Sequence, residues 1–212
     1  MPRISILLIA GLTACAPAGE TPASKPAKAA PEAAAPAAPA GEGLTVRTHD
    51  GAEVAALTQK ADGSIELSFT VDGRKTTLVG VSRDGVKRKY SSGGTVLFET
   101  KGDDGGFKLR TPAGGLLYKV KFSDDKIKVS DNEENANPFE LKLRDGDRIK
   151  VMAPGEKELG NVRATTVEGA GGKKLFELSG RAGSPSYGVL LLETLPPAQR
   201  YIVFAELFSR GK

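Results

Sequence analysis

The 212-residue sequence contains one cysteine, one histidine and no tryptophan. A single cysteine excludes an internal disulfide framework and a cysteine-based metal cluster. His49 has no second imidazole or cysteine with which to share a metal ion, and one histidine weakens any Ser-His-Asp proposal. His49 stands beside an Asp-Gly pair, so we expect it to be a polar loop residue. These absences favour a non-catalytic protein without a cofactor over an enzyme.

The sequence also has only a small excess of positive charge. The chain has 30 Lys and Arg residues against 26 Asp and Glu residues, a formal net charge of +4. Nucleic-acid-binding domains usually show a strongly basic patch and dedicated aromatic platforms. A surplus of this size, spread along the sequence with few aromatic residues, predicts no nucleic-acid partner.

The C-terminal segment, Pro185 to Phe208, is strongly apolar but is interrupted by Glu193 and by the Pro196-Pro197 pair. It therefore falls short of the roughly 20 uninterrupted apolar residues of a membrane-spanning helix. Ser184 or Ser186 can cap a first helix, and Pro197 suits the opening turn of a second. Because both runs are apolar on nearly every side, they must be enclosed by the rest of the domain. The sequence thus predicts buried helices over about 184–209.

The amino terminus has the layout of an export signal. Residues 1–14 carry Arg3, then an apolar run to Leu12, then a small residue before Cys15. This end resembles a bacterial lipobox, and the resemblance implies signal cleavage between Ala14 and Cys15, with a diacylglyceryl thioether on the Cys15 sulfur and acylation of its new amine. Two or three acyl chains anchor a protein far more firmly than one. The residue after the cysteine is Ala16 rather than aspartate, which favours the outer membrane of a Gram-negative envelope, facing the periplasm or the surface.

Residues 15–43 are dominated by Ala and Pro. Such a composition cannot form a core and gives an extended, semi-rigid spacer. We expect a lipidated Cys15 on a disordered linker that holds a folded domain, residues 44–212, away from the membrane.

The domain shows a weak internal repeat of a strand, a polar turn, a second strand and a turn rich in Asp and Gly. The first strands of successive units begin 19 to 22 residues apart, near Val46, Ile65, Val86, Phe107, Ile127 and Ile149. Most of the intervening turns are Asp-Gly or Gly-Gly pairs, which adopt the positive φ angles of two-residue hairpin loops. The turn pairs are Asp50-Gly51, Asp62-Gly63, Asp72-Gly73, Asp84-Gly85, Gly93-Gly94, Asp104-Gly105, Gly114-Gly115, Asp124-Asp125 and Asp145-Gly146. The regularity predicts six hairpin units, or about twelve strands.

Apolar and polar residues alternate within the strand candidates, as in residues 65–71, 118–122 and 139–144. This pattern is typical of an antiparallel sheet with one wet face. A flat sheet of twelve strands would leave its edges open, so we predict a mainly β fold, a closed antiparallel barrel of about 12 strands. Such a barrel is wider than one of roughly eight strands, the size at which inward side chains alone fill the interior. The C-terminal helical segment would therefore plug it. The alternatives are an elongated array of stacked hairpins and a half-open barrel with inserted helices, as in lipoprotein-carrier proteins.

The order of these elements resembles the tubby-like superfamily, which includes tubby domains, phospholipid scramblases and LURP-one-related proteins. The resemblance covers residues 44–212 and lies in the hairpins, the apolar C-terminal helix and repeat phrases such as Leu117–Lys121 followed by Lys126–Val129. It implies a barrel threaded by a helix. The resemblance supplies this expected fold and no functional residues.

Two short motifs favour connecting segments over ligand sites. Asp131 to Asn137 has oxygen ligands at alternate positions but lacks the central glycine and distal glutamate of a calcium loop, so we expect a solvated hairpin tip. Gly169 to Gly172 lacks the lysine-serine signature of a phosphate loop, and we interpret it as a linker.

A ladder of basic residues remains as the candidate contact surface, and its members are Lys119, Lys121, Lys126, Lys128, Lys142, Arg144, Arg148 and Lys150. On the outside of a barrel such a ladder is either a solvated face that discourages edge pairing or a contact for an anionic surface. We select Lys119, Lys121, Lys128 and Lys142 as the contact residues. The sequence thus predicts a monomeric, membrane-anchored envelope lipoprotein that acts as a binding or structural module for anionic lipid, an envelope polymer or an envelope protein. The alternatives are a periplasmic enzyme and an adaptor for a protein partner.

Overall fold

The computed structural model describes residues 42–82, 84–144 and 148–212, which form fourteen β-strands, two 3-10 helices and one α-helix. The strands are β1 Glu42–Thr48, β2 Glu53–Gln59, β3 Ile65–Val71, β4 Arg74–Ser82, β5 Lys87–Ser92, β6 Thr95–Asp103, β7 Gly106–Arg110, β8 Leu116–Phe122, β9 Lys126–Ser130, β10 Phe139–Arg144, β11 Arg148–Met152, β12 Glu158–Arg163, β13 Thr166–Gly169 and β14 Lys174–Leu178. The 3-10 helices are Pro154–Glu156 and Pro185–Leu191, and α1 is Pro197–Ser209. None of the helices among these residues is long and apolar enough to cross a membrane.

The strands form a closed antiparallel barrel. Each strand pairs with its neighbours in sequence, and β1 pairs with β14 through Val46 opposite Leu178 and Arg47 opposite Glu177. Closure leaves no strand with unpaired backbone groups along an open edge. The predicted closed barrel is confirmed, and both open alternatives are wrong.

Tight turns connect the strands where the sequence predicts them. Asp72 and Gly73, between β3 and β4, have φ angles of 50° and 75°. Gly93 and Gly94, between β5 and β6, have φ angles of 55° and 83°. These are the left-handed conformations of a two-residue hairpin turn, for which glycine and aspartate are suited. The predicted turn at Asp145-Gly146 lies outside the described residues.

The barrel has fourteen strands rather than about twelve because a seventh hairpin, β13 and β14, follows the six predicted ones. Gly169 to Gly172 is therefore its turn and not a linker, with the Gly169 N–H donating to the Lys173 carbonyl at 2.9 Å. The hairpin was hard to recognise because β13 has four residues and buries only Val167. At the other end of the domain, β1 begins at Glu42, before the expected boundary at Leu44.

The C-terminal segment lies inside the barrel. Eight consecutive residues of α1, from Tyr201 to Phe208, are buried, and Tyr201 stacks on Phe69 of β3 with ring centroids 5.0 Å apart. The 3-10 helix Pro185–Leu191 packs closely on the opposite wall, where a Cβ on Gly188 would lie 2.8 Å from Val151 of β11. Enclosure of this kind supplies apolar contacts on every side of a helix that has no polar stripe.

The predicted burial of the apolar run is confirmed, although its first half is a 3-10 helix. Val189, Leu190, Leu191 and Leu192 are 0%, 2%, 5% and 0% exposed. Pro197 occupies the first turn of α1 as predicted, whereas the Ser184 side chain makes no capping bond. Its hydroxyl instead bonds the Ser186 hydroxyl at 2.6 Å and the backbone carbonyl of Lys212, which fixes the chain end.

Candidate functional site

The four lysines selected from the sequence lie on the outer wall of three adjacent strands. Lys119 and Lys121 are on β8, Lys128 on β9 and Lys142 on β10. They point outward because the residues that alternate with them, such as Val120, are buried in the barrel. Lys121 stands directly opposite Lys128 in the ladder. The structure therefore brings the four side chains onto one face.

Carboxylates offset three of these four lysines. Glu140 lies between Lys128 and Lys142, with its carboxylate oxygens 3.4 Å and 2.6 Å from the two ammonium groups. The Lys119 ammonium is 3.7 Å from the Glu133 carboxylate and also donates to the Glu133 backbone carbonyl. Lys121 is exposed and forms no ion pair with any described residue. The four positions are thus electrostatically different.

Cations also stand directly opposite one another across neighbouring strands. The rows of opposed cations are Lys87–Lys101–Lys108–Lys119 on β5 to β8, Lys121–Lys128 on β8 and β9, Lys126–Lys142–Lys150 on β9 to β11, and Arg144–Arg148–Arg163 on β10 to β12. We call this set of residues the basic face. Like charges directly opposite each other destabilise a sheet, so the stability of the fold does not explain the arrangement.

The acidic residues on this side stay ionised beside their lysines. A hydrogen bond from Lys108 lowers the pKa of Glu133, one from Lys142 lowers the pKa of Glu140, and one from Lys150 lowers the pKa of Glu158. Glu133 is shared between Lys108, Arg110 and Lys119, and Glu140 is shared between Lys128 and Lys142. A surplus of positive charge remains on the wall around them.

Two open grooves cut into this wall. The first, which we call the β7 groove, has a volume of about 670 Å³ and runs over β6, β7 and β8. The second, the β10 groove, has a volume of about 540 Å³, lies over β10 and β11 and is bordered by the 3-10 helix Pro154–Glu156. Cations line both: Lys101, Lys108, Arg110, Lys119 and Lys121 in the β7 groove, and Lys142, Arg144 and Lys150 in the β10 groove.

The β9–β10 loop, residues 131–138, lies between the two grooves. Asn137 and Pro138 line the β10 groove, while Glu133 bonds to cations of the β7 groove. The loop is folded by its own hydrogen bonds, and the Ala136 N–H donates to the Asn132 side-chain oxygen at 2.7 Å. This is the stretch that faintly resembles a calcium loop, and no group of metal-ligating side chains occurs among the described residues.

A second polar cluster is buried inside the barrel around Glu206 of α1, which is 0% exposed. One of its carboxylate oxygens, Oε1, accepts hydrogen bonds from Arg88 at 2.7 Å and from Tyr90 and Thr100 at 2.9 Å. The other, Oε2, accepts one from Arg210 at 3.3 Å. The cluster ties the helix to β5 and β6.

The buried ion pair of Arg88 and Glu206 shapes the electrostatics of this cluster. Burial, followed by the negative charge of Glu206, raises the pKa of Tyr90 well above its ordinary value, so Tyr90 remains a neutral donor. Burial acts to lower the pKa of Arg88, yet the combined influence of Glu206 and Tyr90 raises it. Gly80 stands opposite Tyr90 and makes room for the ring, because a Cβ there would lie 2.7 Å from a ring carbon.

The Glu206 cluster holds the fold together and does not line a groove. None of Arg88, Tyr90, Thr100 or Glu206 borders the β7 or the β10 groove. The sequence does not predict this cluster, and its one signal there is an acidic residue in the middle of an apolar helix. His49 lies on the β1–β2 turn, as predicted, and is exposed.

Comparisons of the chain with protein-family models, with curated proteins and with solved structures found no match. Ala14 and Cys15, the predicted cleavage and lipidation residues, lie outside the described residues. The basic face is therefore the feature of the described residues that bears on function.

Proposed function

We propose that the chain is a non-catalytic binding module of the bacterial cell envelope, which holds an anionic polymer along its basic face. The observation that carries the proposal is the direct opposition of like charges, for example Lys101 against Lys108 and Arg144 against Arg148. Such pairs cost stability in the free protein. A row of anions bound between them removes the repulsion and releases counterions, and both effects favour the free energy of binding.

A polymer fits this face better than a lipid surface because of the curvature of the barrel. The rows of opposed cations extend from β5 to β12, which is eight of the fourteen strands and more than half of the circumference. A flat bilayer touches only the few strands nearest to it. A flexible linear polyanion can follow the wall and contact successive rows.

The predicted lipid anchor supports the same function. Cys15 and the Ala/Pro-rich linker would tether the barrel to an envelope membrane, and a tether raises the effective concentration of the domain near polymers attached to that membrane. Envelope polymers that carry phosphate or carboxylate groups have the required charge. The similarity to the tubby-like superfamily stays a prediction and supplies no ligand.

Binding to a soluble polyanion tests the proposal. Unlipidated protein carrying Cys15→Ser would be titrated with inorganic polyphosphate and co-sedimented with peptidoglycan and with phosphatidylglycerol vesicles, each at low and moderate salt. The face variant is Lys119→Glu, Lys121→Glu, Lys128→Glu, Lys142→Glu. The control, Lys60→Glu, Lys75→Glu, Lys173→Glu, Lys174→Glu, makes the same change in net charge away from the basic face.

We expect the wild type and the control to bind polyphosphate with a marked salt dependence and the face variant to lose binding. Equal binding by the face variant and the control would remove the basic face from the function. Binding to vesicles without binding to polyphosphate would assign the face to a lipid surface. Tight binding of single-stranded DNA in a parallel titration would contradict the expectation of no nucleic-acid partner.

A further inference from the structure

The β7 groove contains cations in two different states. Lys108, Arg110 and Lys119 all contact the Glu133 carboxylate, at 2.7 Å, 3.0 Å and 3.7 Å. Lys101 and Lys121 line the same groove, are exposed and form no ion pair with any described residue. One part of the groove is thus already occupied by an anion, and the other part is open.

The occupying anion belongs to the β9–β10 loop and reaches back across β8 to β7. Lys108 contacts one oxygen of the Glu133 carboxylate and Arg110 contacts the other. The site therefore recognises an anionic centre with two free oxygens. A carboxylate and a phosphodiester both present such a pair of oxygens.

We propose that the β7 groove is the primary site for the polyanion and that Glu133 is an internal competitor occupying the position of one anionic group of the ligand. This inference rests on the proposed function and names its site. A linear ligand first contacts Lys101 and Lys121, and one of its anionic groups then displaces the Glu133 carboxylate from Lys108, Arg110 and Lys119. The ligand class is a chain of phosphate groups with two free oxygens on each.

The floor of the groove suits a close approach by such a chain. Gly102, Gly105 and Gly106 border it and carry no side chains. Gly102 and Gly106 are also required by the fold, because a Cβ at either position would lie within 2.3 Å of a backbone oxygen. The groove therefore presents backbone atoms at these positions.

A purely structural role for Glu133 is the competing explanation. Its side chain is 44% exposed, and ion pairs of this exposure contribute little to stability. The loop also keeps its shape without the carboxylate, since the Ser130 hydroxyl donates to the Asn135 side chain at 2.7 Å and Lys119 still reaches the backbone carbonyl of Glu133. Removing the charge should free three cations while the loop remains folded.

The test is a titration of the full unlipidated Cys15→Ser chain with inorganic polyphosphate at several salt concentrations. Glu133→Gln is compared with the control Glu66→Gln. Glu66 lies on β3, and its replacement also removes one charge and one ion pair, the one with Lys60. We expect Glu133→Gln to lower Kd at least about fivefold, because the polymer then binds Lys108, Arg110 and Lys119 without displacing a carboxylate, and we expect this gain to shrink as the salt concentration rises. Glu66→Gln should change Kd less than about twofold, and Lys101→Ala with Lys121→Ala should raise it at least about fivefold.

The outcomes separate this inference from the proposed function. Equal effects of Glu133→Gln and Glu66→Gln, with binding retained by the wild type, would overturn the assignment of the groove and leave the basic face as the binding surface. Absence of polyphosphate binding in every variant would overturn both. Unchanged binding in the Lys101 and Lys121 double variant would place the primary site elsewhere on the face.

Discussion

Replacing Glu206 by alanine tests what holds the helix inside the barrel. Glu206 is fully buried, and its carboxylate accepts the hydrogen bonds that the Tyr90 and Thr100 hydroxyls donate. Glu206→Ala removes this acceptor and leaves Arg88, whose side chain is 13% exposed, without its ionic partner. The variant therefore leaves a positive charge and two hydroxyls without their acceptor next to apolar side chains.

The magnitude follows from the burial of the pair. Removing one partner of a buried ion pair typically costs about 3–5 kcal/mol, because the remaining charge is uncompensated. The hydrogen bonds belong to the same network and do not add independently. We expect a loss of about 3–5 kcal/mol in the free energy of unfolding, which lowers Tm by about 6–20 °C in a domain of this size. Glu206→Gln keeps an acceptor oxygen and should cost less.

Urea denaturation followed by circular dichroism measures the effect, with Glu193→Ala as the matched control. Glu193 is exposed on the segment between the two C-terminal helices, and its removal should stay within about 0.5 kcal/mol of the wild type. A double-mutant cycle of Glu206→Ala with Arg88→Met isolates the pair, and we expect the double variant to be more stable than additivity predicts. A Glu206→Ala protein within about 1 kcal/mol of the wild type would refute the reasoning.

Three further predictions concern the core, alkaline pH and the anchor. Leu191→Ala should cost about 2–5 kcal/mol by differential scanning calorimetry, and truncation before Ser184 should abolish cooperative unfolding, because the barrel would lose its plug. The pKa of Tyr90 is raised in the folded state, so above about pH 10 only the unfolded chain loses this proton and the free energy of unfolding should fall as pH rises. Tyr90→Phe should make this fall shallower by about 1.4 kcal/mol per pH unit. Mass spectrometry of protein from membranes should find residues 1–14 absent and Cys15 acylated, and an unmodified Cys15 would contradict the anchor.

Much of the fold could be predicted because its signals are local. Asp-Gly and Gly-Gly pairs set the hairpins, and the alternation in residues 65–71 indicates which face is buried. The seventh hairpin escaped prediction because its strands carry little alternation of their own. Its pairing is fixed by distant strands, with β14 held to β1 through Leu178 and Val46.

The site was predictable only in part, for the same physical reason. The sequence identifies lysines on β8 to β10, but it does not show that Glu133 folds back onto Lys108 and Arg110. Nor does it bring Arg88 and Glu206 together, since these residues are 118 positions apart and meet only after the barrel closes around α1. Contacts between distant segments depend on register and closure, which the spacing of turns does not determine.

Reversing one charge of the basic face separates binding from stability. Lys101 of β6 stands between Lys87 and Lys108, so the free protein carries repulsion on both sides of it. Lys101→Glu turns both contacts into attractions and should raise the free energy of unfolding by roughly 0.2–1 kcal/mol, while weakening polyphosphate binding. Lys75→Glu on β4, which faces Thr70, offers the control with no opposed lysine and should leave stability within about 0.5 kcal/mol. A protein that becomes more stable as it loses its ligand has a surface kept for binding at the expense of folding. Loss of stability in Lys101→Glu would show instead that the row of lysines serves the fold.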